Sequence, residues 1–253
     1  MFAVSDTHFL EDEHLRHQVE GHPRAQELLR ALLYPYAAPD HDYVLRNRAV
    51  TPLYTRGRFD HYIDRFVGGR VPVIAAGSNR SPRQLARKFS RFSGNTEIPV
   101  TMGWMENYDI VYCAHLTSYG AVPATILPSP GTVVRVAINW LLPDQLHHMH
   151  ATESLGDHYD YRQIPAAGIT LDCGLTVRRA GAYIARYGVE FSTGDIFTLA
   201  DIKVENRQFP ERNQWQMLQY VARRAGQVAH PDFILRLIDD ETFRRAQNGR
   251  RTA

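Results

Sequence analysis

Residues 132–142 constrain the fold more than any other stretch of the chain. Val134, Val136, Ile138, Trp140 and Leu142 alternate with polar positions that include Arg135 and Asn139. Successive side chains of a strand point to opposite faces, so this period of two reads as a strand with an apolar face to bury. It does not stand alone. Apolar, strand-like runs recur at 71–76, 109–116, 124–127 and 182–186, and 169–177 reads as a hairpin turning at Asp172-Cys173-Gly174. Many strands in a row, with few helices between them, predict an α+β chain: a mixed or antiparallel β-barrel with helices packed outside it.

The helical signals lie mostly at the two ends. Leu15, Val19, Leu28, Leu29 and Leu32 recur near helical spacing and predict one helix over 11–33, broken by the Tyr-Pro-Tyr-Ala-Ala-Pro run at 34–39. The segment after that run carries no assignable pattern. Ser81-Pro82 is a helix start, serine as cap and proline in the first turn, with Leu85, Phe89 and Phe92 as its buried stripe. Pro143-Asp144 opens a short helix. In the tail, Trp215, Leu218, Val221, Ala222 and Ala225 mark one helix, and Phe233, Ile234, Leu237 and Ile238 another. The division that follows is an N-terminal helical or irregular extension over 1–70 and a body over 71–253 with a helical tail.

Composition narrows the function classes. Apolar residues make up 44% and charged residues 22%, and the net charge of +2 offers no footing for a nucleic-acid or membrane partner. The two cysteines, Cys113 and Cys173, sit in apolar runs and read as buried free thiols rather than a disulfide or metal set. Asp6, His8, Glu11, Asp12 and Glu13 interrupt any apolar leader, and no run has the length of a membrane span. The expectation is a soluble cytoplasmic protein whose partner is a small molecule.

Three constellations carry possible chemistry. The first is Gly77-Ser78-Asn79, between a strand and a helix, where backbone N–H groups can hold a carboxylate or phosphate; taken alone, ordinary turn composition is the plainer reading. The second is Glu153, about two helical turns after Leu146 and beside Met149. Among such residues a carboxylate is partly desolvated, and its pKa rises toward the range useful for proton transfer; alternatively it is exposed just past a helix end. The third is His147, His148, His150 and His158. His147, His150 and Glu153 step by three, which invites a metal reading, but the side chains fan over the helix surface and depart from the H-E-x-x-H pattern, so no metal is assigned. His150 stands near enough to tune Glu153.

These pieces occur in an order that resembles the γ-glutamylcyclotransferases. Gly77-Ser78-Asn79 after an apolar strand is similar to that family's Tyr-Gly-Ser-Asn loop. Residues 119–131 (Tyr-Gly-Ala-Val-Pro-Ala-Thr-Ile-Leu-Pro-Ser-Pro-Gly) resemble its Ala-Thr-Ile, Ser-Pro-Gly segment, and 134–140 its next strand. Leu146, Met149 and Glu153 resemble the helix that ends in the family's acid/base glutamate. Tyr159 or Tyr161 stands for a following tyrosine, and Tyr183 for one in a later core strand. The resemblance spans about 71–187. Ala76 replaces the loop tyrosine and Ser154 the glycine after the glutamate.

The resemblance implies a γ-glutamyl amide or peptide as substrate and 5-oxoproline as product. It implies Glu153 as general acid/base, Gly77, Ser78, Asn79, Tyr159 and Tyr183 as substrate contacts, and no cofactor. Ala76 implies a substrate larger or differently shaped than the family's usual ones. The alternatives are a related lyase or acyltransferase acting on another amide, and a non-catalytic small-molecule-binding protein on the same fold.

Overall fold

Two long strands organise the chain. β4 (Ile98–Tyr112) and β5 (Ala124–Leu141) pair antiparallel from Val100↔Asn139 to Tyr112↔Ala124, with the register shifting between Glu106 and Tyr108. Asn107, at φ 62°, absorbs that irregularity, a backbone region that asparagine tolerates better than most residues. The computed structural model from which these elements are taken describes residues 2–53, 67–165, 168–175, 177–191 and 194–249.

On one side of the long pair, β3 (Val71–Ala75) runs antiparallel to β5, β8 (Arg179–Ala185) runs parallel to β3, and β6 (Tyr159–Pro165) closes that edge antiparallel to β8. On the other side β4 meets β9 (Thr198–Leu199), which pairs with β11 (Glu211–Arg212). Three more strands branch from the path: β1 (Tyr43–Arg46) and β7 (Ile169–Leu171) on β4, and β10 (Val204–Glu205) on β5. β2 (Ala49–Pro52) pairs, among the described residues, with β1 alone. The result is an α+β molecule with a large, mostly antiparallel sheet and, among the described residues, seven α-helices. No ladder joins β6 to β11 among those residues. The sheet is therefore open, and the expected barrel closure is not seen.

Several expectations meet a physical correction. The helix expected over 11–33 is two, α1 (Glu13–Glu20) and α2 (Ala25–Leu32). Pro23 cannot donate within a helix and disfavours helical geometry at the residue before it, so the chain turns at Gly21-His22-Pro23. The hairpin expected over 169–177 does not form on itself, because β7 is taken by β4 while β8 goes to β6 and β3. The pattern-free segment after Pro39 holds the β1–β2 hairpin. Its two-residue turn is Asn47-Arg48, both at positive φ. Arginine in that place is why the turn was hard to read. Residues 54–66 of the same N-terminal stretch lie outside the described residues.

The polar face of β5 is buried as well. Val134, Val136, Ile138 and Trp140 join one apolar cluster while Ala137 and Leu141 join a second. Arg135 survives burial because it pairs with Asp40 at 2.9 Å and with both oxygens of Asp172 at 2.7 and 2.5 Å. The helices outside the sheet are α3 (Pro82–Lys88), α4 (Pro143–Thr152), α5 (Gln214–Arg224), α6 (Pro231–Asp239) and α7 (Glu241–Ala246). Among the described residues, none is long and apolar enough to cross a membrane.

Candidate functional site

A cavity of about 710 Å³ opens where several elements end together. β3 delivers the turn Gly77-Ser78-Asn79, α3 delivers Lys88, α4 ends at Glu153, and β6 and β8 contribute Tyr159 and Tyr183. The six residues that the resemblance implies as acid/base and substrate contacts (Gly77, Ser78, Asn79, Glu153, Tyr159 and Tyr183) all line this cavity, whereas His147 and His150 do not.

The turn is shaped by what it must admit. An ideal Cβ on Gly77 would fall 1.9 Å from the hydroxyl oxygen of Tyr34, so only glycine lets that ring approach. The Tyr34 hydroxyl in turn accepts the Ala124 amide at 2.8 Å, at the start of β5. Tyr34 and Ala76 both line the cavity, and the Tyr34 hydroxyl lies against Gly77, so a ring from the N-terminal region stands next to the loop where extra room was expected. The amides of Gly77, Ser78 and Asn79 find no acceptor among the described residues. They remain available to a ligand anion.

Glu153 sits just past the last residue of α4, with its side chain 13% exposed. The surroundings are as expected in one respect, since Met149 is fully buried and Leu146 packs on the same apolar cluster. In another they differ. Its Oε1 accepts Asn79 Nδ2 at 2.6 Å and forms an ion pair with Lys88 Nζ, itself buried. Burial pushes the Lys88 ammonium toward a lower pKa, and the Glu153 carboxylate opposes that shift. Lys88 is the residue that sequence reasoning missed. It is the last position of α3, and nothing in the local pattern separates it from a solvated helix-end lysine.

The histidines disperse. His150 Nδ1 lies 2.9 Å from the Tyr183 hydroxyl rather than on Glu153, His148 Nε2 meets the Lys88 carbonyl at 2.9 Å, and His147 is exposed. Among the described residues no three His, Cys, Asp or Glu side chains stand together as a metal site. Tyr159 is buried, with its hydroxyl 3.4 Å from the Ala124 carbonyl and 3.6 Å from Cys113 Sγ. Burial pushes the Cys113 thiol up to about 12. Both cysteines are free and buried.

His115 also lines the cavity and was not singled out in the sequence. It is 1% exposed, neither ring nitrogen has a partner among the described residues, and burial beside His158 drives its pKa well below the ordinary value. The wall as a whole is cationic. Arg30, Arg87, Arg91, Arg244 and Arg245 stand around it with Lys88, against Glu153, Asp157 and Glu241. Arg30 lies over the Tyr119 ring at 4.1 Å.

Comparison with known proteins adds little. No protein family matches the sequence, and no curated protein matches it. Among solved structures the chain is similar to the crystal structure of an uncharacterised human protein, at 15% identity and a TM-score of 0.35, over 46% of this chain and 67% of that one.

Proposed function

We propose that the chain is a γ-glutamylcyclotransferase-like enzyme that closes a γ-glutamyl amide or peptide to 5-oxoproline and releases an amine. The observation that carries this reading is the contact of Asn79 with Glu153 at 2.6 Å on the wall of the 710 Å³ cavity. It joins two sequence signals that are each weak alone, a glycine turn and a helix-end glutamate, into one site with unengaged backbone donors beside a carboxylate.

In this reading the substrate's α-carboxylate lies on the amides of the 77–79 turn, within a cationic wall that favours an anion. Glu153 takes a proton from the α-ammonium group. The freed amine attacks the γ-carbonyl carbon, a C–N bond forms, and the tetrahedral oxyanion collapses with loss of the original amide nitrogen. Two protons pass in all from the α-nitrogen to the departing nitrogen, with Glu153 as the carrier. Because nucleophile and electrophile belong to one molecule, holding the folded conformer supplies much of the rate. No cofactor enters these steps.

The Lys88–Glu153 ion pair favours a second reading, a binding protein in which the carboxylate is structural. One experiment separates the two. The purified chain is incubated with γ-glutamyl amines, γ-glutamyl dipeptides and glutathione, and 5-oxoproline is measured. Formation above the spontaneous rate from at least one substrate supports the enzyme. Tight binding with no product from any of them supports the second reading.

A further inference from the structure

Arg80 follows Asn79 directly, yet its side chain belongs to a different cavity. This second space, about 570 Å³, is walled by Phe9, Leu10, Tyr36 and Trp215, with the carboxylates Glu11 and Asp201 on the same wall. Arg80 is 9% exposed, and its Nε is buried without a partner among the described residues. Its guanidinium makes no hydrogen bond and no ion pair among the described residues, although its backbone carbonyl accepts the Tyr43 hydroxyl at 2.8 Å. The nearby acids do not reach it. Asp40 is engaged by Arg135 and Lys203, Glu11 accepts Asn213 Nδ2 at 3.4 Å, and neither Glu11 nor Asp201 forms an ion pair with Arg80 among the described residues. Arg83, the other guanidinium of this cavity, is held by Asp6 at 2.8 Å.

A buried charge is ordinarily paired, because its lost hydration is otherwise uncompensated. Here a guanidinium with no hydrogen bond or ion pair among the described residues lines a space walled mostly by apolar residues. We propose that this cavity binds a small monocarboxylate with an apolar body, the carboxylate being taken by the Arg80 guanidinium. The planar fork of arginine matches a carboxylate in two parallel hydrogen bonds, and the rings of Tyr36 and Trp215 cover the apolar body. One unengaged guanidinium matches one negative charge. A phosphate dianion would bring a second charge toward the Glu11 and Asp201 carboxylates, which disfavours it. An amino acid with an apolar side chain satisfies the same chemistry and offers its ammonium group to Asp201.

The test uses the full chain with phenylacetate, phenylalanine and inorganic phosphate, followed by melting temperature and tryptophan emission, since Trp215 lines the cavity. Phenylacetate or phenylalanine should raise the melting temperature of the wild type in a dose-dependent way and change its emission. Arg80→Met should bind at least tenfold more weakly while melting, without ligand, at or above the wild-type temperature. Asp201→Asn should leave phenylacetate binding intact and remove any advantage of phenylalanine over it. The proposal is overturned if neither carboxylate changes the wild-type signals, a readout that does not depend on any variant folding. It is equally overturned if Arg80→Met binds as the wild type does, if that variant melts well below it, or if phosphate binds more tightly than both carboxylates.

Discussion

Glu153 and Lys88 form a buried pair, and each side of it has a measurable consequence. Removing one partner of a buried pair leaves the other charge without compensation, a cost of about 3 kcal/mol. Glu153→Gln and Lys88→Met should therefore each lower stability in denaturant titrations, while the double variant should lose less than the sum of the two. An exposed or idle glutamate would give two singles within error of the wild type. In activity the two residues should part. Glu153→Gln should lower turnover of a confirmed substrate by about a hundredfold or more, the scale of a lost general base. Lys88→Met keeps the carboxylate that the mechanism uses, so at equal folded fraction it should retain far more turnover than Glu153→Gln. A Lys88→Met turnover as low as that of Glu153→Gln would mean that the lysine, too, is needed for the chemistry.

At the scale of elements, the 77–79 turn depends on Tyr34, which follows α2 in the N-terminal region. A valine at position 77 would drive its Cβ into the Tyr34 hydroxyl and displace the ring from the Ala124 amide. Gly77→Val should lose both ligand binding and stability. Tyr34→Phe should keep the ring, lose only the hydrogen bond at Ala124, and cost about 1 kcal/mol. Gly77→Val combined with Tyr34→Ala should recover stability in thermal melts, because the atom in collision is gone. A double variant no more stable than Gly77→Val alone would mean that the glycine serves a different neighbour. The same contact makes the first seventy residues part of the site. Arg30 of α2 and Tyr34 both stand on the cavity wall, so the N-terminal region supplies surface that the 71–253 body does not.

For the whole molecule, acid stability should report the buried imidazole. His115 stays neutral in the folded chain because burial lowers its pKa well below 6.5, whereas in the unfolded chain it titrates near that value. Below pH 6.5 the unfolded state binds the extra proton. Stability should therefore fall as pH drops, by up to about 1.4 kcal/mol per pH unit from this residue, until the depressed folded-state pKa is reached. His115→Phe should flatten the dependence between pH 6.5 and 5 by that amount. Urea titrations at several pH values measure it, and an unchanged slope would mean that the ring is protonated or hydrated in the folded state.

What the sequence determined by itself was local or periodic. The alternation from Val134 to Trp140, the Ser81-Pro82 and Pro143 helix starts, and the two tail helices follow from side-chain spacing and capping, which act over a few residues. Glu153 and the glycine turn were legible for the same reason, each belonging to a short pattern. Only the tertiary structure decided the rest. β7 leaves its sequence neighbour for β4, and β5 is buried on both faces because apolar clusters lie on both sides of the sheet. Lys88 meets Glu153 across 65 residues, and Tyr34 meets Ala124 across 90. Such contacts depend on which strand edges and cavity walls meet when the chain collapses, and no period of two or of 3.6 encodes that. A buried lysine beside a carboxylate and a solvated lysine at a helix end have the same letter. The fold alone tells them apart, by removing water from one of them.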